Sequence, residues 1–249
     1  MLKVSKVTKS YQSTGLFRHQ RQQILQDVNL ECPMNTTIGI IGESGSGKST
    51  LGRLILGIEK PDLGSVTLNG RPMYQRRVRK QQMSAVFQDY ISSLHPFHTV
   101  QMILSEVLRF SGEWSKDKRL SQSIQLLEEV GLSKDVLNKY PNMLSGGEAQ
   151  RVAIARSICL NPKYILLDEA ISSLDMSIQT QILDLLIHLK EQRQLSYIFI
   201  THDIQVATYL CDRLVIFKNG TIVTQIDTCD LHRTTHPYTR ALIDKQLTF

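Results

Sequence analysis

Residues 42–50, Gly-Glu-Ser-Gly-Ser-Gly-Lys-Ser-Thr, constrain this chain more than any other stretch, because their work requires a strand, a tight loop and a helix in succession. They fit G-x-x-x-x-G-K-[ST] from Gly42 through Ser49 and follow the apolar run Ile38-Gly39-Ile40-Ile41. The strand before and the helical run after (Leu51, Leu54, Ile55) distinguish the motif from a Gly/Ser-rich loop with a chance lysine. Gly42, Gly45 and Gly47 let the backbone turn sharply, so that N–H groups along Ser44, Gly45, Ser46 and Gly47 aim inward at polyphosphate oxygens. The positive end of a helix opening near Lys48 adds to that field. Lys48 supplies a point charge for β- and γ-phosphates, Ser49 a hydroxyl for Mg²⁺, and Thr50 a contact on the α-phosphate side.

A chain of 249 residues with 41% hydrophobic side chains can bury a substantial core, which argues against disorder. No apolar run reaches the roughly 18 to 20 residues that cross a bilayer, and Met1 to Lys6 lacks the apolar stretch of a secretory signal. The expectation is a cytosolic protein whose membrane role comes through a partner. Twenty-nine Lys plus Arg against twenty-three Asp plus Glu leave +6, concentrated at Arg71, Arg76, Arg77, Arg79 and Lys80, with Arg18 and Arg21 in a second stretch. A basic surface helix is a commoner reason for such a run than nucleic-acid binding. Cys32, Cys159, Cys211 and Cys229 show no C-x-x-C spacing, so they read as reduced thiols rather than metal ligands.

Taken in order, 2–8 and 24–32 read as strands, with Leu25, Val28 and Leu30 inward and a polar, basic loop between them. Tyr11 ends the first strand region, where its ring is placed to stack on a nucleobase; a core or surface tyrosine fits the position equally well. A helix is expected over 48–57, a turn at Pro61 to Gly64 and a strand over 65–70 closing in Asn-Gly. The basic segment 74–82 is helix-compatible, and Met83 to Phe87 is an apolar strand that delivers Gln88 to a loop, where open α/β sheets place ligand contacts. From 99 to 160 the apolar spacing becomes helical (Val100, Ile103, Leu104, Val107; Ile124, Leu127, Val130). Ser145-Gly146-Gly147 then opens a helix, a second potential anion site far in sequence from the first.

Tyr164 to Leu167 is a buried-strand run ending in Asp168-Glu169, and adjacent carboxylates there call for cations or protons. Asp168 is placed to hold Mg²⁺ and Glu169 to polarise an attacking water. A loop with Ser173, Leu174 and Asp175 leads to an amphipathic helix (Ile178, Ile182, Leu185, Leu186, Leu189). The strand Tyr197 to Ile200 ends at Thr201-His202-Asp203. A capping or core histidine would be unremarkable; following Gln88 and Asp168-Glu169 at the ends of apolar strands, His202 instead fits γ-phosphate sensing. A hairpin turns at Asn219-Gly220, and the tail from 228 carries His232 and His236-Pro237-Tyr238.

Together these residues resemble the ATP-binding subunits of ABC transporters over nearly the whole chain. Gly42 to Thr50 are similar to the Walker A motif, Gln88 to the Q-loop, Leu144 to Glu148 with Gln150-Arg151 to the signature, Tyr164 to Asp168 to Walker B, Glu169 to the catalytic base, Ser172 to Asp175 to the D-loop and His202 to the switch histidine. The signature carries most of the specificity. The resemblance implies an α/β P-loop NTPase of one domain, 1–249, with a mostly parallel core sheet, an antiparallel β subdomain, a helical subdomain at about 92–160 and a short tail at about 228–249. It further implies ATP and Mg²⁺ as cofactors, with Gln88 joining Ser49 and Asp168 around the metal and Glu169 and His202 catalytic. A head-to-tail dimer follows in which Ser145, Gly146 and Gly147 complete the opposite subunit's site, and Asp175 of the D-loop joins the nucleotide-binding residues.

Finer features are similar to the peptide and nickel importers: Gln88 to Pro96, and the His236 to Leu242 segment. Asp168-Glu169-Ala170-Ile171-Ser172 is closer to nickel-type subunits, and the tail lacks a cysteine-rich extension. The resemblance therefore implies import of nickel- or cobalt-type metal or a metal–metallophore complex, with a di- or oligopeptide importer as the alternative. Implied partners are two transmembrane permease subunits, a related, non-identical second ATPase and an extracytoplasmic substrate-binding protein, and no nucleic acid, at the cytoplasmic face of the cell membrane. A soluble ABC protein acting on nucleic acid or the ribosome is disfavoured, since a second cassette or a coiled-coil insertion does not fit in 249 residues. His95 replaces a usual Asn and Ser173 a common Ala; His95/His98 and His232/His236 need further ligands in space before either pair holds a metal.

Overall fold

The computed structural model describes residues 1–15, 18–80, 82–89, 93–110, 112, 115–172 and 174–246, with only the backbone at 13–15 and 18–20. Tyr90, Ile91, Ser92 and Ser173 of the sequence reading lie outside the described residues, as does the Arg18 side chain. In chain order the strands are β1 (Leu2–Gly15), β2 (Arg18–Cys32), β3 (Thr37–Ile41), β4 (Leu63–Leu68), β5 (Arg71–Pro72), β6 (Met83–Phe87), β7 (Tyr164–Asp168), β8 (Ser196–Thr201), β9 (Arg213–Lys218) and β10 (Thr221–Asp227). The helices are α1 (Lys48–Ile55), α2 (Arg76–Arg79), α3 (Val100–Arg109), α4 (Lys116–Glu129), α5 (Gly146–Ile158), α6 (Met176–Arg193), α7 (Ile204–Leu210) and α8 (Pro237–Gln246). The chain divides into two compact units, Met1–Lys80 with Ser196–Phe249, and Gln81–Leu195.

The first unit holds an antiparallel sheet in the order β2-β1-β4-β5, and a group in which β3 runs parallel to β8 on one side and to β9 on the other, with β10 antiparallel to β9. Every residue of β3 and β8 is buried, which explains their unbroken apolar runs: a strand covered on both faces has no polar side to alternate with. Each such side chain contributes about 1.5–3 kcal/mol over exposure to water. These strands are therefore a stiff base for whatever follows their carboxyl ends. Leu25, Val28 and Leu30 of β2 are buried as the sequence pattern predicts.

The second unit pairs β6 with β7 in parallel and surrounds them with helices. Val152, Ala155 and Ile158 of α5 and Ile182, Leu186 and Leu189 of α6 are buried, the stripes expected from their spacing. Helix α3 is capped by the Thr99 hydroxyl and α4 by that of Ser115.

Two local expectations fail. The polar loop expected between the first strands is an extension of both, with Ser10 opposite Gln23 and Gly15 opposite Arg18. Ladder hydrogen bonds come from the backbone, so a solvated ribbon needs no apolar alternation to form. The helix-compatible 74–82 yields only Arg76–Arg79, with no buried residue and an extended Lys80 at its end. Clustered like charges and the absence of an apolar stripe leave nothing to prolong it.

Candidate nucleotide site

In the first unit the register sets Ile41 of β3 opposite Thr201 of β8 and Ile216 of β9, so Gly42 and His202 leave neighbouring parallel strands at their carboxyl ends. That is where open α/β sheets bind ligands. A Cβ on Gly42 would stand 2.2 Å from the Phe217 carbonyl oxygen, so only glycine lets the loop pass this close to β9. Gly47 has φ 106°, and a Cβ there would also press within 2.9 Å of Leu25. The β9–β10 turn holds the loop from below: Gly220 N–H donates to the Ser46 carbonyl at 2.9 Å, and the Gly220 carbonyl accepts from Gln26 N–H at 2.9 Å.

Lys48 is only 5% exposed, and its ammonium donates to the carbonyls of Gly42 (2.7 Å) and Glu43 (2.8 Å), which draws it across the loop. Helix α1 begins here on Gly47 with no side-chain cap, and the Ser46 hydroxyl is buried without a hydrogen-bond partner. Uncapped first-turn N–H groups, a buried lysine and an orphaned hydroxyl fit a phosphate. Ser49 and Thr50 follow on the first turn of the same helix.

Thr50 is also tied to the residue expected to meet the base. Arg53 donates through Nη2 to the Thr50 hydroxyl (3.1 Å) and to the Tyr11 hydroxyl (3.1 Å), and through Nε to Glu59 Oε1 (2.6 Å). Tyr11 donates to Glu59 Oε2 at 2.5 Å, and the Lys9 ammonium lies 5.5 Å from its ring centroid. Burial pushes the Glu59 carboxyl up, but the Tyr11 hydroxyl and the Arg53 guanidinium outweigh it and hold Glu59 below its ordinary range. Neither Arg53 nor Glu59 is signalled by any motif.

In the second unit the β6/β7 register sets Phe87 opposite Asp168, which brings Gln88 beside Asp168 and Glu169 where the two parallel strands end. Gln88 is exposed and both carboxylates are half-buried. Their oxygens are hard donors of the kind that Mg²⁺ takes. Glu169 has φ 48°, a left-handed conformation costing of order 1–3 kcal/mol for a residue with a Cβ. Its carbonyl is held by Ser172 through both N–H (3.2 Å) and hydroxyl (2.9 Å), so the turn leaving the strand is locked.

Ser145 is the N-cap of α5 in a full capping box: its hydroxyl accepts from Glu148 N–H at 3.2 Å, and its own N–H donates to Glu148 Oε2 at 2.8 Å. Lys139 reaches Glu148 Oε1 at 2.9 Å. The Ser145 N–H first, then Lys139, hold the Glu148 carboxyl below its ordinary range. Gly146 and Gly147 form the first turn, and a Cβ on Gly147 would crowd Ile178 of α6 at 3.2 Å. Asp175 caps α6 through Ile178 N–H and accepts from the Ser177 hydroxyl, which with the backbone bond keeps its carboxyl low. Among the described residues no group of three or more His, Cys, Asp or Glu side chains is arranged to hold a metal; His95 and His98 stack with centroids 3.9 Å apart.

A family model described as ABC transporter matches residues 25–172, from β2 to just beyond the Glu169 turn. The chain belongs to the ABC transporter family. This ABC ATPase is a subunit that binds and hydrolyses ATP to drive transport. It is 67% identical over 249 residues, 100% of both chains, to the metal-staphylopine import system ATP-binding protein CntF of Staphylococcus aureus. It is 36% identical to the nickel import ATP-binding protein NikE of Rhodospirillum rubrum, over 97% of this chain and 90% of that one. Among solved structures, the ATP-binding cassette MJ0796, a dimer in a post-hydrolysis state bound to ADP and Pi, superposes with TM-score 0.82 at 31% identity, covering 92% of this chain and 99% of that one. The mixed sheet order and flanking helices of this ABC ATPase are those of such cassettes.

Proposed function

We propose that this ABC ATPase drives import of a metal bound to a small organic chelator, a metallophore. The carrying observation is end-to-end identity of 67% with a metal-staphylopine import subunit, against 36% with a nickel import subunit. Peptide import is the second reading, supported by a Brucella ovis protein whose name assigns it to peptide import, 38% identical over 98% of this chain and 77% of that one.

In this reading the loop from Gly42 through Gly47, with Lys48, cradles the β- and γ-phosphates, Thr50 reaches the α-phosphate side and Tyr11 stacks on adenine. Ser49, Gln88 and Asp168 hold Mg²⁺, which neutralises charge on the phosphates when bound. Glu169 takes a proton from the attacking water, and His202 contacts the γ-phosphate. Ser145, Gly146 and Gly147 serve the site of a second ATPase, a related and non-identical chain, and Asp175 joins the nucleotide contacts. The whole of 1–249 acts as one ATPase domain, with its helical part at about 92–160 and a tail from about 228. No described helix is long and apolar enough to cross a membrane, which accords with a peripheral subunit at the cytoplasmic face, docked on two permease subunits and served by an extracytoplasmic binding protein.

The test is uptake of radiolabelled nickel or cobalt, free and chelated, by the transporter reconstituted with its binding protein. Chelate-dependent uptake is expected, and Glu169→Gln should lower ATP turnover by about 10²- to 10⁴-fold while leaving ATP binding intact. Peptide uptake without chelate uptake moves the assignment to the second reading. Undiminished turnover in Glu169→Gln removes Glu169 as the base.

A further inference from the structure

The C-terminal segment has no part in the site as described, yet it touches the backbone that presents His202. Helix α8 ends at Gln246, whose side-chain amide is engaged at both ends: Nε2 donates to the His202 carbonyl at 2.9 Å, and Oε1 accepts from Ile204 N–H at 2.8 Å. The contact is reciprocated by Gln205, whose Nε2 donates to the Gln246 carbonyl at 2.7 Å. One amide thus brackets Asp203 by holding the residue on either side of it.

The local hydrogen bonds show why a tertiary partner is needed. Asp203 caps α7 by accepting from Gln205 N–H (2.8 Å) and Val206 N–H (3.1 Å), and its own N–H donates to the Thr201 hydroxyl at 3.0 Å. The Ile204 N–H, first in the helix, is the donor taken by Gln246. His202 itself lies beyond the buried strand β8 with an exposed side chain, so core packing does not hold it as it holds Ile200. Its carbonyl accepts a hydrogen bond from α8. That helix is anchored in turn: Leu242 is buried, the Thr239 hydroxyl is 2.8 Å from that of Thr224 on β10, and the Lys218 ammonium lies 4.2 Å over the Tyr238 ring. Burial, then the Glu43 charge, pushes the Tyr238 phenol up.

We propose that Gln246 is a positioning residue for His202, locking the carbonyl of the γ-phosphate residue through a two-ended amide clamp from the C-terminal helix. The inference rests on the reading of His202 as that residue. Remote groups that fix the geometry of a reacting centre raise turnover without adding to ground-state binding, because a shift of about 1 Å in such a group is costly only in the transition state.

The experiment measures steady-state ATP hydrolysis by the reconstituted transporter for wild type, Gln246→Leu, His202→Ala and the double variant, with a thermal melt of each. Gln246→Leu should lower kcat about tenfold, leave KM for ATP within about twofold, and cost nothing further in the His202→Ala background. Gln246→Glu keeps an acceptor for Ile204 N–H but offers no donor to the His202 carbonyl, so it should show the same kcat loss with a melt lowered by only about 2–4 °C, as for the loss of one hydrogen bond. Unchanged kcat in both Gln246 variants overturns the proposal, as does a loss that multiplies with that of His202→Ala or that tracks the melting temperature. Full turnover in His202→Ala overturns the reading of His202 on which it depends, an outcome separate from failure of the Gln246 variants alone.

Discussion

Replacing Ser145 with alanine separates what this residue does for the fold from what it does for the nucleotide. In the structure its hydroxyl oxygen accepts the Glu148 N–H at 3.2 Å, while its backbone N–H is held by Glu148 Oε2 at 2.8 Å. The substitution removes only the first bond, so the loss is that of an N-cap, about 1 kcal/mol. For a chain of this length that lowers the melting temperature by about 2–4 °C. Against a total stability of about 5–15 kcal/mol, the unfolded fraction at 25 °C remains negligible. Any fall in turnover beyond a small factor must then have another cause. A hydroxyl that accepts from Glu148 still has its own proton to donate, and in the dimer reading that proton goes to the phosphates of the partner subunit's nucleotide. Losing it, with the first turn of α5 loosened, should lower kcat of the reconstituted transporter about 10- to 100-fold. Calorimetry and ATPase assays on the same sample decide the matter. An unchanged melt refutes the capping argument, and a lowered melt with full turnover refutes the anion contact.

Gly42→Ala forces a Cβ to within 2.2 Å of the Phe217 carbonyl, which is backbone of a buried strand and has no side chain to swing away. The expected cost is about 1–3 kcal/mol of stability together with loss of ATP binding, measured by titration with a fluorescent analogue; wild-type affinity would contradict the close approach. Glu148 has a folded pKa below its ordinary value of 4.5, so its contribution is fully present above that value and is lost as pH falls through the lower folded one. The stability difference between wild type and Glu148→Gln should therefore be constant near neutrality and shrink below about pH 4.5; denaturant unfolding that shows a difference independent of pH down to about 3 would contradict the ion pair.

The motif-bearing parts of the site were legible because each depends on neighbours in sequence. The buried run of β3, the glycines that follow it and the start of α1 occupy a single stretch, and residue type there reports directly on backbone conformation. The Ser145 to Glu148 box and the Asp175 cap are likewise local, but the sequence shows only the helices they open, and the structure shows the caps. The ribbon joining β1 to β2 reads as a loop in sequence because backbone pairing leaves no apolar trace, and 74–82 reads as helix-compatible throughout because charge spacing cannot show the missing core contact.

The sequence by itself determined that this chain binds and hydrolyses a nucleotide, since the phosphate loop and the strand-end carboxylates are each contiguous residues whose chemistry follows from type and spacing, and the resemblance of Leu144 to Glu148 to the signature implies the family. Only the tertiary structure decided what steadies them. Tyr11 meets Glu59 across 48 positions, Gln246 meets the His202 carbonyl across 44, and the Gly220 turn holds the phosphate loop from another hairpin. These partners carry no pattern of their own. They are brought together by which strands pair and which faces are buried, and that is settled by the whole core at once.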